Sequence, residues 1–349
     1  MYSFTFMKKK IALITGITGQ DGAYLAEFLI KKNYIIHGIK RRSSTTNNYR
    51  IDNLYSTYYE NLKKPVFFLH YGDVTDSLNL ANVISKVNPD EIYNLAAQSH
   101  VKVSFETPEY TANADALGVL RILEIIKNQK KKIKFYQAST SEMFGSAKAP
   151  QNEKTNFQPV SPYGAAKLYG HWITKIYRES YGLFACSGIL FNHESPLRGE
   201  TFVTKKVTKA VGEYFRGNKK ILELGNLDAK RDWGHSKEYV QSMWKILQKK
   251  NPDDFVISTN KSYSVRFFVE EAYKNIGVKI KWIGKCKNEI VVDKKTNKTI
   301  IIINKKYFRP NEVDYLKGDS SKAKKELKWK PKISFKQLVK EMVKYEIDT

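Results

Sequence analysis

Residues Ile11–Gly22 read IALITGITGQDG, and this stretch is the strongest indication of the fold. Ile11–Thr15 is a short apolar run typical of a buried strand, and helical periodicity continues from Ala23 to Leu29. The turn between them carries three glycines: Gly16, Gly19 and Gly22. Glycine permits a tight turn and a close backbone approach, and the N-terminus of a helix supplies N–H groups and the positive end of a dipole. The stretch therefore predicts a strand–turn–helix unit that binds a phosphate group.

The same alternation of strand and helix continues through the first half of the chain. Further apolar runs lie at 34–39, 66–71, 91–96, 134–139 and 183–191, with helical patterns between them. Buried strands that alternate with helices imply right-handed crossovers and a parallel sheet covered on both faces. After Phe191 the pattern loosens, although DFVIST (Asp254–Thr259) predicts one more buried strand and the end of the chain predicts an amphipathic helix.

The predicted fold class is α/β. It is a doubly wound parallel Rossmann sheet with a smaller, partly interleaved C-terminal α/β substrate domain. We expect residues 8–191 to form the dinucleotide-binding domain, with 236–262 returning to it. Residues 192–235 and 263–349 are expected to form the substrate-binding domain.

Length and composition limit the class of protein. The 349 residues allow one or two domains, and a hydrophobic content of 42% fits a folded globular chain. No apolar run reaches the length of a membrane span, and the N-terminal charges follow the few apolar residues, which is the reverse of a secretory signal. The organised pattern begins only at Lys10, which leaves Met1 and Met7 both open as the native start.

Charge and cysteine content exclude several other functions. The formal net charge is +25, but the lysines are scattered and no nucleic-acid motif accompanies them, so we expect solvated faces and no nucleic-acid partner. The two cysteines, Cys186 and Cys286, show neither metal-ligand spacing nor a disulfide framework. We expect a buried, inert Cys186, no metal site and a reducing cytoplasm as the location.

The end of the second predicted strand bears on the choice of cofactor. Proteins that bind NAD usually place a carboxylate there for the ribose diol. This sequence has HGIKRRSS instead, with Arg41, Arg42, Ser43 and Ser44 after the strand. Guanidinium forks match a 2′-phosphate, which favours NADP over NAD, although a solvated basic loop is the plainer alternative. Asp73 in GDV is predicted to contact the adenine, and the strand end Asn94–His100 to line the cofactor.

A second motif predicts acid–base chemistry. SPYGAAK (Ser161–Lys167) places Tyr163 and Lys167 four residues apart, so both side chains face the same way on a helix. A nearby ammonium lowers the pKa of a phenol, which can then take a proton from a sugar hydroxyl as hydride leaves to nicotinamide. This spacing also arises by chance around ordinary half-buried tyrosines. The glycine-rich turn and the Ser/Thr cluster in ASTSEMFG (Ala138–Gly145) favour the catalytic interpretation.

These motifs together resemble the extended short-chain dehydrogenase/reductases and, within them, the GDP-mannose 4,6-dehydratases. The similar stretches reach from Lys10 to about Pro331 and are TGITGQDGAYLAEFL, HGIKRRSS, LHYGDVTDS, EIYNLAAQSHVKVSF, FYQASTSEMFG, SPYGAAKLYGHW, GILFNHESPLRGETFVTKK, LGNLDAKRDWGH and YFRPNEVDYLKGD. The resemblance implies a lyase that uses NADP, acts on a GDP-linked manno-sugar, and forms a homotetramer or homodimer. In that family the basic loop Lys40–Arg50 reaches the cofactor of a neighbouring subunit.

The resemblance also implies four catalytic residues. Tyr163, beside Lys167, would deprotonate the hydroxyl on sugar carbon 4 while hydride passes to NADP⁺. Thr140 would hydrogen-bond the same oxygen and polarise the ketone that forms. Glu142 would remove the acidified proton on carbon 5 and help expel the carbon 6 hydroxyl as water. Hydride would return to carbon 6 and give a 4-keto-6-deoxy sugar.

Binding residues carry over in the same way. The implied cofactor contacts are Gly16, Ile17, Thr18, Gly19, Gln20, Asp21, Gly22, Arg41, Arg42, Ser43, Ser44, Asp73, Val74, Leu95, Ala96, Ala97, Gln98, Ser99, Tyr110, Tyr163, Lys167, His193 and Arg198. The implied contacts of the GDP-sugar are Asn192, Val203, Lys206, Arg231, Arg309 and Glu312.

Four residues depart from the family pattern. Leu197 stands where a basic residue is expected, Glu200 and Thr201 replace an Ala-Asn pair, and Lys205 replaces an arginine. We expect these residues beside the nucleotide-sugar, where they would alter hexose preference or subunit contacts. A GDP-manno-heptose is therefore an open alternative to GDP-mannose.

Two other functions stay open from the sequence. An epimerase or reductase acting on a nucleotide sugar is one of them. A sugar 4-epimerase would share Tyr163 and Lys167 but would need no acid–base group at carbon 5. A non-catalytic NADP-binding sensor would need none of the four catalytic residues. Glu142 is therefore the residue that discriminates among these functions.

Overall fold

The structure is a computed structural model that describes residues 9–44, 47–61, 63–218, 220–285 and 288–349. The predictions about a start at Met1 or Met7, about residue 8 as the domain limit and about Cys286 lie outside these residues. So do two positions, 45 and 46, of the basic loop Lys40–Arg50.

The described residues form fifteen strands and twelve α-helices. The strands are β1 (Ile11–Thr15), β2 (Ile35–Lys40), β3 (Phe67–Tyr71), β4 (Glu91–Asn94), β5 (Lys134–Thr140), β6 (Ala185–Leu190), β7 (His193–Glu194), β8 (Leu222–Leu224), β9 (Lys230–Arg231), β10 (Gly234–His235), β11 (Phe255–Ile257), β12 (Tyr263–Ser264), β13 (Ile280–Ile283), β14 (Ile290–Asp293) and β15 (Thr299–Ile303). The helices are α1 (Gln20–Lys31), α2 (Asp52–Tyr55), α3 (Ser77–Val87), α4 (Val101–Glu106), α5 (Pro108–Ala112), α6 (Gly118–Lys127), α7 (Pro162–Tyr181), α8 (Val203–Phe215), α9 (Ser236–Leu247), α10 (Val265–Lys274), α11 (Ser321–Glu326) and α12 (Phe335–Asp348). No described helix combines the length and apolar character needed to cross a membrane.

A seven-stranded parallel sheet organises the first part of the chain. Its strand order is β11-β6-β5-β4-β1-β2-β3, and every neighbouring pair is parallel. The strand order reverses between β1 and β4, which leaves a crevice at the carboxyl ends of these strands. The predicted doubly wound α/β fold is confirmed.

Helices cover both faces of the sheet because their apolar stripes need burial. On one face α1 and α9 share a core with Tyr24, Leu29, Tyr239 and Met243. On the other face α3, α6 and α7 share a core with β1, β4, β5 and β6, and α7 lies against β5 and β6. Both α9 and β11 lie on this sheet, which fits the predicted return of 236–262. The domain limits themselves stay a prediction.

The later part of the helical pattern between the apolar runs at 91–96 and 134–139 is not one continuous helix in the structure. It runs as α5, a π-helical turn over Asn113–Leu117, and α6, which ends at Lys127. Such turns occur often at functional sites because the wider loop re-aims side chains. Helical periodicity alone gave no sign of this turn.

A second sheet lies in the C-terminal part, with the order β13-β14-β15-β8. The helices α8, α10 and α12 pack against it around Val211, Phe268, Ile301 and Met342. The sequence pattern is loose here because the strands are short, and β8 pairs with β15 from a distant part of the chain.

The helices α8 and α12 approach each other closely at Gly212. A Cβ atom at Gly212 would lie 2.7 Å from the carbonyl oxygen of Glu346. Beside this contact, buried Lys205 on α8 forms an ion pair with Glu346 on α12. The contact matters for function because α8 also carries Val203 and Lys206, which were predicted to bind substrate.

We expect Gly212→Ala to lower the free energy of unfolding by about 1–3 kcal/mol, because the added methyl group meets backbone atoms that cannot turn aside. Urea unfolding followed by tryptophan fluorescence measures the change. Lys209→Ala on the same helix is the control, since Lys209 is partly exposed and its ion pair with Glu200 contributes less than about 1 kcal/mol. Equal stability of Gly212→Ala and the wild type would contradict the close contact.

Candidate active site

A cavity of about 470 Å³ opens at the carboxyl ends of the parallel strands and extends to the C-terminal part of the chain. Most residues predicted to act on or bind ligands line it: Gly16, Thr18, Gly19, Gln20, Asp21, Gly22, Leu95, Ala97, Ser99, Thr140, Glu142, Tyr163, Lys167, Asn192, His193, Arg198, Val203, Lys206, Arg231, Arg309 and Glu312. The four candidate catalytic residues and all six candidate substrate residues therefore share one space.

The glycine-rich turn forms one wall of the cavity. Gly16 has a φ of +69°, and a Cβ atom there would lie 2.8 Å from the backbone nitrogen of Ala96. At Gly22 a Cβ atom would lie 2.4 Å from the carbonyl oxygen of Gly16. Only glycine fits both positions, so the turn can present bare backbone to a ligand. This cradle fits the pyrophosphate of a dinucleotide.

Other residues predicted to bind cofactor lie outside the cavity lining. Ile17 and Val74 are buried in the core, and Ala96 donates its N–H to the Thr15 hydroxyl. The Oδ1 atom of Asp73 accepts hydrogen bonds from Thr75. Arg41 donates to the Tyr110 hydroxyl at 2.9 Å. Arg42, Ser43 and Ser44 are exposed on the same segment, and the Gln98 N–H binds the carboxylate of Asp115.

Local structure places the four candidate catalytic residues together. Thr140 ends β5, and its hydroxyl accepts the backbone N–H of Glu142 at 3.2 Å. Ser161 caps α7, which begins at Pro162 and brings Tyr163 and Lys167 onto one face. Strand end and helix start both face the crevice, so residues far apart in sequence converge.

Burial rather than the lysine sets the pKa of Tyr163. The phenol is 7% exposed, and its burial raises the pKa of Tyr163 above the usual value, with the negative charge of Asp115 acting in the same direction. Burial also lowers the pKa of Lys167. The Lys167 ammonium donates to the carbonyl oxygen of Ala138 at 2.8 Å. The predicted lowering of the Tyr163 pKa is therefore wrong for the chain by itself, because desolvation of the phenol outweighs the Thr140 hydroxyl and Arg198, which act to lower the pKa.

Glu142 points into the cavity and is only 7% exposed. Its Oε1 atom lies 3.8 Å from Nη1 of Arg309, and Oε2 has no hydrogen-bond partner among the described residues. Arg309 and buried Arg231 both pair with Glu312, at 3.3 and 3.0 Å. Buried polar atoms without partners are costly, so the free oxygen of Glu142 indicates a ligand group at this position.

The family departures lie mostly outside the cavity lining. Leu197 packs against the sheet core, and its carbonyl oxygen accepts a hydrogen bond from Arg50. Lys205 donates to the carbonyl oxygen of Pro196 at 2.7 Å and is paired with Glu346. Glu200 is exposed and forms an ion pair with Lys209. Leu197, Glu200 and Lys205 therefore do not line the cavity, and the expectation that they lie beside the nucleotide-sugar stays a prediction. Among the four, Thr201 alone lines the cavity.

Several cavity residues carried no sequence signal. Arg50 donates to the carbonyl oxygen of Thr18 at 3.2 Å and so supports the glycine-rich turn. Lys102, like the predicted Lys206, lies over the ring of Tyr307, at 5.8 and 4.7 Å from its centre. Arg50, Lys102 and Tyr307 come from separate segments, and no local spacing links them. Asp115 in the π-helical turn was missed for the same reason.

The class of protein follows from this arrangement. The glycine-rich turn of the parallel sheet lines the same cavity as Tyr163 and Lys167 on α7, and basic residues line the rest of that cavity. This combination defines an extended short-chain dehydrogenase/reductase of the nucleotide-sugar type. Solved structures share the fold. A dTDP-glucose 4,6-dehydratase of Bacillus anthracis in complex with NAD has a TM-score of 0.77 and 22% identity and covers 96% of each chain. RMD from Pseudomonas aeruginosa complexed with NADPH has a TM-score of 0.73 and 17% identity and covers 98% of this chain and 100% of its own.

Sequence relatives define the particular family. A family model described as GDP-mannose 4,6 dehydratase matches residues 13–342. The GDP-mannose 4,6 dehydratase of Drosophila melanogaster is 55% identical over 344 residues, which cover 98% of this chain and 87% of the relative. That of Sinorhizobium fredii is 54% identical over 342 residues, which cover 97% of each chain. The chain belongs to the GDP-mannose 4,6-dehydratase family and is an enzyme of the hydro-lyase class, which removes the sensor alternative.

Asp115 is a buried acid next to this site. It is 1% exposed, Oδ1 accepts the Gln98 N–H at 2.7 Å, and Oδ2 has no hydrogen-bond partner among the described residues. A Cβ atom at Gly170 would lie 3.0 Å from the carbonyl oxygen of Asp115, so α7 packs tightly on this turn. Burial raises the pKa of Asp115 to about 6, although Lys167 acts in the opposite direction.

We expect Asp115→Asn to stabilise the chain at neutral pH. Because the folded pKa of Asp115 is raised to about 6 from 3.8, the wild type loses stability as pH rises through that interval. Asparagine keeps the acceptor for Gln98 and carries no charge. The variant should match the wild type near pH 4 and exceed it by up to about 3 kcal/mol near pH 8.

Urea unfolding at the two pH values measures this difference. Glu109→Gln serves as control, since Glu109 is an exposed acid on neighbouring α5 and should change neither value. A stability difference for Asp115→Asn that is the same at both pH values would show that Asp115 does not titrate as described.

Proposed function

We propose that the chain converts a GDP-D-manno-sugar, GDP-mannose or GDP-manno-heptose, to its GDP-4-keto-6-deoxy product and water through bound NADP. The observation that carries this proposal is the convergence of Thr140, Glu142, Tyr163 and Lys167 in one cavity. Within that cavity Glu142 keeps one oxygen without a partner among the described residues.

The residues present fit a nicotinamide dinucleotide. Gly16 and Gly22 hold the turn tightly against β4 and the start of α1, so its backbone lines the cavity where a pyrophosphate would lie. No carboxylate stands among residues 41–44, which directly follow β2, while Arg41 and Arg42 lie exposed there and offer guanidinium groups to a 2′-phosphate. A dinucleotide held by these residues would supply reversible hydride transfer, from sugar carbon 4 and back to carbon 6, so the reaction would have no net redox change.

The protein groups supply the proton transfers. Tyr163 takes the proton of the carbon 4 hydroxyl, and Thr140 hydrogen-bonds the same oxygen as it becomes a ketone. The ketone acidifies the proton on carbon 5, which Glu142 removes. Glu142 then gives that proton to the carbon 6 hydroxyl, which leaves as water. When hydride adds to carbon 6, a proton returns to carbon 5, and the proton that Tyr163 took from the carbon 4 hydroxyl balances it. Since burial raises the pKa of Tyr163, the nearby cations Lys167 and Arg198 are needed to favour its ionised form.

The basic end of the cavity suits a nucleoside diphosphate. Arg231 is buried there, Arg309 lies beside it, and Lys206 lines the cavity from helix α8. Asn192 has a buried side-chain oxygen without a hydrogen-bond partner among the described residues, which would accept from a sugar hydroxyl. Thr201 is the departure that lines the cavity, so we propose that it bears on the choice between hexose and heptose.

An epimerase or reductase is the second candidate, and the position of Glu142 disfavours it. Epimerisation at carbon 4 and reduction need no acid–base group at carbon 5. Glu142, which could act as such a group, lies in the same cavity as Tyr163. The assembly into a homodimer or homotetramer and the location in the cytoplasm remain proposals. The first rests on the family resemblance of the Lys40–Arg50 loop. The second rests on the inert character of Cys186, since burial raises the pKa of its thiol to about 12.

We expect Glu142→Gln to abolish product formation, because the amide cannot take the carbon 5 proton. The loss in kcat should be about 10²–10⁴-fold, while NADP⁺ affinity stays within about twofold. Mass spectrometry after incubation with GDP-mannose and with GDP-manno-heptose measures the loss of one water, and the two relative rates identify the sugar.

Glu106→Gln is the matched control, since Glu106 is an exposed acid at the end of α4. Turnover of Glu142→Gln at the wild-type rate would refute the assigned role. If the wild type removes no water from either sugar, the proposed function itself fails.

We expect the double variant Arg41→Ala, Arg42→Ala to bind NADP⁺ about 10- to 100-fold more weakly, because it loses charge-assisted hydrogen bonds to the 2′-phosphate. Binding of NAD⁺ should change by less than about threefold, since NAD⁺ has no such phosphate. Isothermal titration calorimetry with both dinucleotides measures the difference. Lys63→Ala, Lys64→Ala removes two exposed charges elsewhere and is the control. Equal losses for NADP⁺ and NAD⁺ would show that the arginines do not bind the 2′-phosphate.

A further inference from the structure

Both ring nitrogens of His193 face hydrogen-bond acceptors. Nδ1 lies 2.8 Å from the carbonyl oxygen of Phe191, and Nε2 lies 2.6 Å from Oδ2 of Asp21. A neutral imidazole carries one N–H and would leave one of these contacts without a proton. The pair of His193 and Asp21 must therefore hold one proton more than a neutral histidine beside a carboxylate.

The surroundings place this extra proton on the histidine. Oδ1 of Asp21 accepts a hydrogen bond from the Ser236 hydroxyl at 2.5 Å, which favours the ionised carboxylate. Although burial opposes both changes, the mutual attraction raises the pKa of His193 and lowers the pKa of Asp21. The result is a partly buried ion pair with a hydrogen bond at every polar atom of the imidazole.

Other charged and titratable groups near the pair come from each packed element. Arg198 lies on the loop after β7 and pairs with Glu194 at 3.0 Å. Tyr239 on α9 stacks on the His193 ring at 4.7 Å between ring centres. Tyr136 on β5 is fully buried within the field of Asp21. Arg198 opposes the extra proton on His193, and the Asp21 carboxylate outweighs it because it is in direct contact.

We propose that Asp21 and Ser236 are positioning residues that keep His193 as an imidazolium and thereby fasten the glycine-rich turn to the opposite wall of the cavity. Asp21 lies in the first turn of α1, His193 in β7 and Ser236 at the start of α9. A second link runs alongside, since Gln20 donates to the His193 carbonyl oxygen and accepts from Ser195, both at 2.8 Å. Both carboxylate oxygens of Asp21 already accept hydrogen bonds, from His193 and Ser236. Asp21 therefore acts on the cofactor site through His193.

The consequence for pH has a definite sign. The contribution of His193 to stability is complete below the pKa of an unfolded histidine and is lost as pH rises through the raised folded value. The affinity for NADP⁺ should fall over the same interval, because the turn is no longer held. This part of the inference rests on the proposed NADP site.

His235 provides an internal comparison in the same molecule. Its Nε2 lies 3.1 Å from Oε2 of Glu341, but its Nδ1 accepts the Lys237 N–H at 3.0 Å. One proton on Nε2 satisfies both contacts, so this histidine beside a carboxylate needs no cationic form.

The first experiment is NMR of the full chain with ¹⁵N-labelled histidine near pH 7.5, without ligand. We expect both ring nitrogens of His193 to carry protons and only one nitrogen of His235 to do so. The His193→Gln variant assigns the signals. One unprotonated nitrogen on His193 would overturn the proposal, whatever the result with cofactor.

The second experiment compares Asp21→Asn with Glu341→Gln, each of which removes the carboxylate beside one histidine. Asparagine can still accept from Nε2 but carries no charge. We expect Asp21→Asn to weaken NADP⁺ binding at least about tenfold at neutral pH and to remove the alkaline loss of affinity. Glu341→Gln should stay within about twofold of the wild type. Ser236→Ala, which deletes a single hydroxyl, should weaken binding severalfold and keeps the test open if Asp21→Asn does not fold.

The proposal is overturned if Asp21→Asn binds NADP⁺ with the affinity and the pH dependence of the wild type. If Asp21→Asn does not fold, the same result for Ser236→Ala overturns it. Failure of the wild type to bind NADP⁺ would instead count against the proposed function, and the NMR result would still decide the state of His193.

Discussion

The close approach of Gly16 to the backbone of Ala96 is the constraint on which the rest of the site depends. It brings the ends of β1 and β4 together where the strand order reverses, and it leaves no room for a side chain. The turn then feeds directly into α1, so Asp21 is aimed at β7 and the cavity has one fixed wall. Every candidate catalytic residue is placed relative to that wall by a strand end or a helix start.

Desolvation dominates the electrostatics of the cavity. Tyr163 and Lys167 lie four residues apart on one helix, yet burial acts on them in opposite directions, upward for the pKa of the phenol and downward for the pKa of the ammonium. Asp115, behind them in the π-helical turn, adds a partly ionised acid. Positive charge close to the phenol must therefore offset its burial before Tyr163 can ionise.

The sequence predicts the parts of the fold that have local signals. Buried runs such as Ile11–Thr15 and helical spacing predicted the parallel sheet. The four-residue spacing predicted that Tyr163 and Lys167 act together, and the family resemblance added Thr140 and Glu142. Interactions between distant segments were not predictable, because no spacing encodes them. The pair of Lys205 with Glu346 is one example, and the contact of His193 with Asp21 is another. The pKa of Tyr163 was misjudged because burial depth cannot be read from a motif.

The bracing of the loop around Pro196 by α12 affects how the enzyme matures. Lys205 reaches the Pro196 carbonyl oxygen while paired with Glu346, a residue that leaves the ribosome long after the loop it supports. The sheet and its glycine-rich turn emerge earlier and can fold first. During synthesis the nucleotide-binding turn would thus form well before the wall of the cavity that faces the sugar became rigid. The enzyme would become active only after α12 had packed in place.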